Sequence, residues 1–289
     1  MSLQMSAFAK RPTRPATWTT RSAFAATATA AAFALALPAC AQSPDSPNPP
    51  GTFKPEVGQA GKDVIWVPTP QVLVDKMLDI AKATPKDYVI DLGSGDGRTV
   101  ITAAQRGMTA HGIEYNPDMV ELAKKNAEAA GVTARATFEK ADLFESDFSK
   151  AQVITMFLLP TINEKLRPKI LDLAPGTRIV SNSFRMGEWE PDMTVMVEGC
   201  TGWCTAHLWI VPAKVGGTWR VGSQDLTLAQ SFQMLTGTLG STPISEGKVD
   251  GDNVTFTAGG VQYRGTVSGG GITGTTAGST SGSWKAART

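Results

Sequence analysis

From Trp66 to Ala213 the chain alternates short apolar runs with amphipathic helical patterns, and this alternation constrains its fold most. "DYVIDL", "TAHGIE", "ARATFEKAD", "QVITMFLL" and "GTRIVSNSF" read as strands. Between them lie helical stretches. "TPQVLVDKMLDIAKA" has Thr69 as its expected N-cap and Pro70 at its first helical position. "RTVITAAQR" follows, then "PDMVELAKKNAEAA", capped by Asn116 and Pro117 and stopped by Gly131, and then "INEKLRPKILDLA", with a kink expected at Pro168. Strands separated by helices of this length call for a parallel sheet covered on both faces. "MTVMVEG" and "TAHLWIVP" then read as an antiparallel hairpin closing that sheet. The expected class is α/β, a doubly wound sheet over residues 63–213.

Beyond Ala213 the pattern changes. Residues 214–289 hold 16 of the 29 glycines, which argues against long helices there. Short runs such as "NVTFTA" and "VQYRGTV", punctuated by "DGD", "GG" and "GGG", predict a small antiparallel β-domain. Gly217-Thr-Trp219 and Gly282-Ser-Trp284 look like matching strands that would close it into a barrel.

The first 41 residues carry Lys10, Arg11, Arg14 and Arg21 and no acid. A short apolar stretch, "SAFAATATAAAFALAL", precedes "LPACAQS", with Ala39 and Ala41 at the small positions a signal peptidase needs. "LPAC" also resembles a lipobox, which would make Cys40 a lipid anchor. The expectation is an exported chain, periplasmic or membrane-anchored. A cytoplasmic protein is the alternative, should the segment not act as a signal. Residues 42–62, rich in Pro, Gly and Ser, read as a tether. The whole chain is formally +1, so without its basic start it is mildly acidic, and no nucleic-acid partner is expected. Cys200 and Cys204 in "EGCTGWCTAH" suit a disulfide in an oxidising compartment, with free thiols or a metal site including His207 as alternatives. The disulfide is the favoured reading, and no metal is expected.

The stretch "VIDLGSGDGRTVI" places Gly93, Gly95 and Gly97 between a strand and a helix. Such a junction presents backbone N–H groups and a helix N-terminus to a ligand. A dinucleotide fingerprint would need its third glycine where Arg98 stands, and no G-x-x-x-x-G-K-[ST] occurs. Asp91, Glu114 and Asp142 each stand at the end of a successive strand, at the carboxyl edge where doubly wound sheets bind ligands.

"VIDLGSGDGR", "GIEYNPDMV" and "KADLFESDF", in this order, resemble the class I S-adenosylmethionine-dependent methyltransferases. "VPTP" (Val67 to Pro70) with "DLGSGDGR" is similar to the group around the ATP synthase c-subunit lysine methyltransferase. The resemblance implies a seven-strand methyltransferase sheet with S-adenosyl-L-methionine as cofactor. It places Asp91, Gly93 and Gly95 on the methionine moiety, Glu114 on the ribose and Asp142 at the adenine with Leu143 flanking the ring, and it counts Ser94 and Gly97 among the cofactor-binding residues. It also implies an acceptor that is a protein, lysine among the candidates, or a small molecule. "MFLLP" after the fourth strand lacks the N-P-P-Y type of motif, which argues against adenine-N6 or glutamine-amide acceptors.

Methyl transfer asks the protein mainly to position two reactants. A lysine acceptor must also lose its proton, which at pH 7 costs roughly 4.6 kcal/mol from a pKa near 10.4. A desolvating aromatic channel lowers that cost, and Trp66, Phe157 and Phe184 are its expected wall. The rival expectation is an exported, non-catalytic ligand-binding or assembly module that keeps this fold.

Overall fold

The computed structural model describes residues 53–289. The leader, Cys40 and the first part of the tether lie outside the described residues. Residues 56–62, read from composition as tether, are folded instead. Gly58 N–H donates to Trp66 O and Trp66 N–H to Gln59 O, both at 2.9 Å, and Gly61 N–H donates to Val64 O at 2.8 Å.

The first layered unit is a seven-stranded sheet of order β3-β2-β1-β4-β5-β7-β6. Its strands are β1 (Tyr88–Leu92), β2 (Thr109–Glu114), β3 (Ala136–Lys140), β4 (Val153–Met156), β5 (Arg178–Asn182), β6 (Met193–Met196) and β7 (Thr205–Ile210). The first five run parallel, and β7 pairs antiparallel with both β5 and β6. The order reverses between β2-β1 and β4, which opens a crevice at the carboxyl ends of β1 and β4.

Side-chain alternation sends each strand into two cores. Val89 and Ala110 join α1 (Gln71–Ile80), α2 (Arg98–Gln105) and α3 (Pro117–Ala129) on one face. Ile90, Leu92 and Ile154 join α4 (Pro160–Leu171), Phe148, Trp189 and Trp209 on the other. Near-continuous burial of β1 and β4 is what a strand covered on both faces requires.

Local capping explains the helix starts unevenly. Asn116 accepts from the N–H groups of Asp118 and Met119, as its sequence position predicts. Thr69 does not cap α1: the helix begins at Gln71 after Pro70, and the Thr69 hydroxyl is buried against Asn182 Nδ2 at 3.3 Å. Helix α4 runs through Pro168.

The C-terminal part is a closed antiparallel barrel of β8 (Gly217–Val221), β9 (Gln224–Ser231), β10 (Met234–Leu239), β11 (Thr242–Asp250), β12 (Asn253–Ala258), β13 (Val261–Ser268), β14 (Gly271–Gly278) and β15 (Gly282–Arg288). β8 and β15 close it, in the register Trp219↔Arg288 rather than tryptophan against tryptophan. Its interior is packed by Trp219, Leu228, Val254, Phe256, Ile272 and Trp284. The barrel meets the sheet unit through Phe232 stacked on Trp189 (5.9 Å, 10°) and Lys248 paired with Asp192 at 2.9 Å.

Candidate functional site

The loop after β1 is built by backbone geometry that side chains resist. Gly93, Gly95 and Gly97 have φ of +76°, +52° and +82°, where only glycine is unstrained. Gly93 and Ser94 N–H groups both donate to Ile113 O, at 2.9 and 3.1 Å, fixing the loop to the end of β2. A Cβ at Gly95 would stand 2.7 Å from Trp66 Nε1, so Trp66 packs directly on the loop. Ser94 is buried with its hydroxyl unpartnered. Gly97 corrects the sequence expectation, because it does not line the cleft. A Cβ there would meet the Phe138 ring at 2.7 Å and Ala123 at 2.9 Å, so this glycine lets α2 approach α3 and β3.

These elements border a cleft of about 1060 Å³, open to solvent. Asp91, Gly93, Ser94, Gly95, Glu114, Asp142 and Leu143 all line it, which brings the predicted residues from three strand ends to one place. Asp96, Arg98, Thr99 and Tyr115 line it too, and sequence reasoning had not singled them out.

The three acids sit in different surroundings. Asp91 is only 6% exposed, and Thr155 Oγ1, its register partner on β4, donates to Oδ1 at 2.6 Å. Burial, reinforced by nearby Asp96 and Glu114, pushes its carboxyl up to about 7, against the opposing bonds from Thr155 and Thr99. Glu114 accepts the Gly95 N–H on Oε2 and the Asn116 N–H on Oε1, both at 2.9 Å. Each oxygen therefore keeps a lone pair for a ligand hydroxyl. Asp142 accepts Lys62 Nζ at 2.6 Å and the Phe144 N–H at 3.0 Å. The Lys62 bond holds its carboxyl below the usual carboxylate range. Lys62 also lies 4.9 Å over the Tyr115 ring, so the folded residues 56–62 roof the cleft at its Asp142 end.

A second, apolar cleft of about 1070 Å³ adjoins the first, sharing Phe157 and residues of the 60–67 segment. Of the three expected wall residues, the structure unites Phe157 and Phe184, with ring centroids 5.9 Å apart. Trp66 stands apart on the glycine loop and does not line this cleft. Trp203 takes the third place, 5.8 Å from Phe157 and 5.3 Å from Phe184. The only sequence signal for it was its position between two cysteines.

Those cysteines, Cys200 and Cys204, form a disulfide in the β6–β7 turn. His207 is engaged elsewhere. Its Nδ1 is 2.9 Å from Thr194 Oγ1 and its Nε2 3.3 Å from Ser183 O, and burial lowers its pKa. Among the described residues no group of His, Cys, Asp and Glu is placed to hold a metal. No helix among them is long and apolar enough to cross a membrane.

Comparison with known proteins bears on the family. Residues 91–193 match the model of the ANTKMT methyltransferase domain. A protein-lysine N-methyltransferase of Saccharolobus islandicus is 44% identical over 151 residues, which is 51% of this chain and 94% of that protein. The adenine nucleotide translocase lysine N-methyltransferase of Mus musculus is 35% identical over 128 residues, 44% of this chain and 55% of that protein. The chain thus spans about half the length of the mouse relative. The solved RNA methyltransferase of Salinibacter ruber, in complex with S-adenosyl-L-homocysteine, is 48% identical. It covers 52% of this chain and 96% of its own, with a TM-score of 0.49.

Proposed function

The chain belongs to the class I S-adenosylmethionine-dependent methyltransferase family, in the group that includes the Saccharolobus islandicus protein-lysine N-methyltransferase, and we propose that it methylates lysine side chains of a protein. The observation that carries this reading is the junction of two unlike clefts, one edged by carboxylates and one walled by aromatic rings.

The acidic cleft fits the cofactor on its own features. Its loop is held close to the side chains of Leu158 and Trp66, which a Cβ at Gly93 or Gly95 would meet at 3.1 and 2.7 Å. Its carboxylates suit a ligand bearing hydroxyls, an amine and positive charge, and Ser94 offers an unpartnered buried hydroxyl. When bound, S-adenosylmethionine supplies an electrophilic methyl group on a sulfonium. We assign Glu114 to the ribose, Asp142 and Leu143 to the adenine, and Asp91 with Gly93, Ser94 and Gly95 to the methionine part. A cation entering beside Asp91 draws its carboxyl back toward the ionised form. The protein's own contribution is placement, which fixed geometry alone can make worth several orders of magnitude.

The aromatic cleft serves the acceptor. Lysine is the side chain that gains most from an apolar, water-poor wall, because desolvation favours its neutral, nucleophilic form. A general base is not required by this arrangement. Incubating the purified chain with labelled S-adenosylmethionine and a lysine-containing protein should yield methyl-lysine on acid hydrolysis. Label recovered only in RNA, or in no acceptor despite cofactor binding, would sink the lysine reading.

We also propose that the chain is exported and held at a membrane by Cys40, a reading that the "LPAC" motif and the Cys200–Cys204 disulfide both support. Fractionation of cells carrying the native chain or Cys40→Ser checks this. Membrane association should be lost in the variant, and an uncleaved cytosolic product would overturn it.

A further inference from the structure

We infer that the disulfide-closed turn between β6 and β7 is an acceptor-binding element, with Trp203 holding the incoming lysine side chain. The inference rests on the lysine-acceptor reading above, and the residues concerned belong to neither the glycine loop nor the acidic edge. Trp203 has φ of +52°, between Gly202 at +66° and Cys204. A bulky residue in that conformation is uncommon and persists only where its surroundings enforce it. Here the Cys200–Cys204 link closes the turn around it. The indole stays about half exposed although it touches two other rings. A tryptophan needed only for packing would be buried further.

The three rings make a contiguous wall rather than an enclosed cage, since their centroids lie 5.3–5.9 Å apart. They face a cleft in which, among the described residues, Asp63 is the one ionisable lining residue. Ile65 and Leu159, 60% and 41% exposed, form its apolar rim. Phe157 lines this cleft and the acidic one, so a side chain sliding along the wall arrives beside the cofactor cleft. That combination fits an ammonium on an aliphatic stem: the rings take the methylenes and the cation–π contact, and Asp63, which Lys62 also approaches at 3.8 Å, adds an acid to the lining.

Two effects on the ammonium oppose one another along this path. Cation–π attraction favours the charged form by on the order of tenfold. Desolvation favours the neutral form and can lower a lysine pKa by as much as ~3–5 in a buried site. Attraction therefore dominates at the half-exposed Trp203 face, and desolvation dominates further in, where the nucleophile must be uncharged.

The test uses the full chain saturated with S-adenosylhomocysteine and titrated with the acetylated, amidated peptide Ala-Leu-Lys-Leu-Ala. The same peptide with norleucine for lysine is the control. Trp203→Ala should weaken lysine-peptide binding by on the order of tenfold and leave S-adenosylhomocysteine affinity within about twofold, which also shows that the variant is folded. Trp203→Phe should recover most of the loss. A Cys200→Ser/Cys204→Ser double variant should weaken the peptide alone, by about threefold, roughly half of the cation–π effect on a logarithmic scale. Unchanged peptide affinity in Trp203→Ala, with the native chain binding and methylating the peptide, would overturn this inference and leave the lysine reading standing. A native chain that binds S-adenosylhomocysteine but neither binds nor methylates the peptide would defeat both.

Discussion

Asp91→Asn should make the ligand-free protein more stable while weakening its hold on the cofactor. The carboxyl is 6% exposed, and burial with Asp96 and Glu114 nearby raises it from 3.8 to about 7. A group that binds its proton more tightly folded than unfolded stabilises the fold at low pH. That contribution is lost as pH rises from about 4 to about 7. Three pKa steps at 1.36 kcal/mol each give a loss of about 4 kcal/mol by pH 8. Asparagine keeps an oxygen for the Thr155 hydroxyl and carries no charge to desolvate. At pH 8 the variant should therefore exceed the native chain by about 2–4 kcal/mol, the lower figure allowing for imperfect packing of the amide. At pH 5 most of the native penalty has not yet developed, so the gap should shrink by more than half. Urea unfolding at the two pH values measures this directly. Parallel calorimetry with S-adenosylmethionine should show affinity falling at least about tenfold, roughly 1.4 kcal/mol. A variant less stable than native at pH 8, or a gap independent of pH, would refute the reasoning. Asp91 would then be an ionised, fully compensated carboxylate.

In the native chain, S-adenosylmethionine affinity should rise between pH 5 and 7 and level off above, because a cationic ligand favours ionised Asp91; calorimetry across that range checks it, and a flat profile refutes it. Glu114→Ala should weaken S-adenosylhomocysteine binding by about 10–100-fold, roughly 1.4–2.8 kcal/mol, and Glu114→Gln by less, since one oxygen remains for a backbone N–H. Gly97→Ala should cost about 2–4 kcal/mol of stability through its left-handed backbone and the Phe138 and Ala123 contacts. Gly131→Ala, equally left-handed but with nothing within 4 Å, should cost only about 1–2 kcal/mol, and comparing their unfolding midpoints separates strain from crowding.

The sheet was legible because its central strands are marked twice, once as short apolar runs buried on both faces and once in the turn chemistry beside them. Gly131 at φ +67° and Asn116 as a cap are cases where one residue type serves one conformation. Barrel closure by β8 and β15 was legible for the same reason, through repeated Gly-x-Trp segments, but its register was not. Nothing local dictates that Trp219 should face Arg288. Thr69 misled because a capping residue was also the right size to be buried against Asn182, and tertiary contact prevailed over propensity. Residues 56–62 misled because composition reports the entropy of a free chain. It cannot register that Lys62 finds Asp142 and Tyr115 across a long sequence interval.

The acids were found by their places at strand ends, yet their different electrostatic states belong to the fold. Asp91 and Thr155 lie far apart in sequence and meet only because β1 and β4 are neighbours in register. That neighbouring pair is also where the strand order reverses, so the crevice and the buried carboxylate have one cause. The same junction sends Phe157 out of the end of β4, toward the ring of Phe184 after β5 and the turn that carries Trp203. A charged cleft and an apolar cleft on either side of one strand end answer the two demands of methyl transfer to an amine. In the proposed reaction the first would hold the cofactor's cation where carboxylates compensate it, and the second would strip the acceptor's ammonium of water until it gives up its proton.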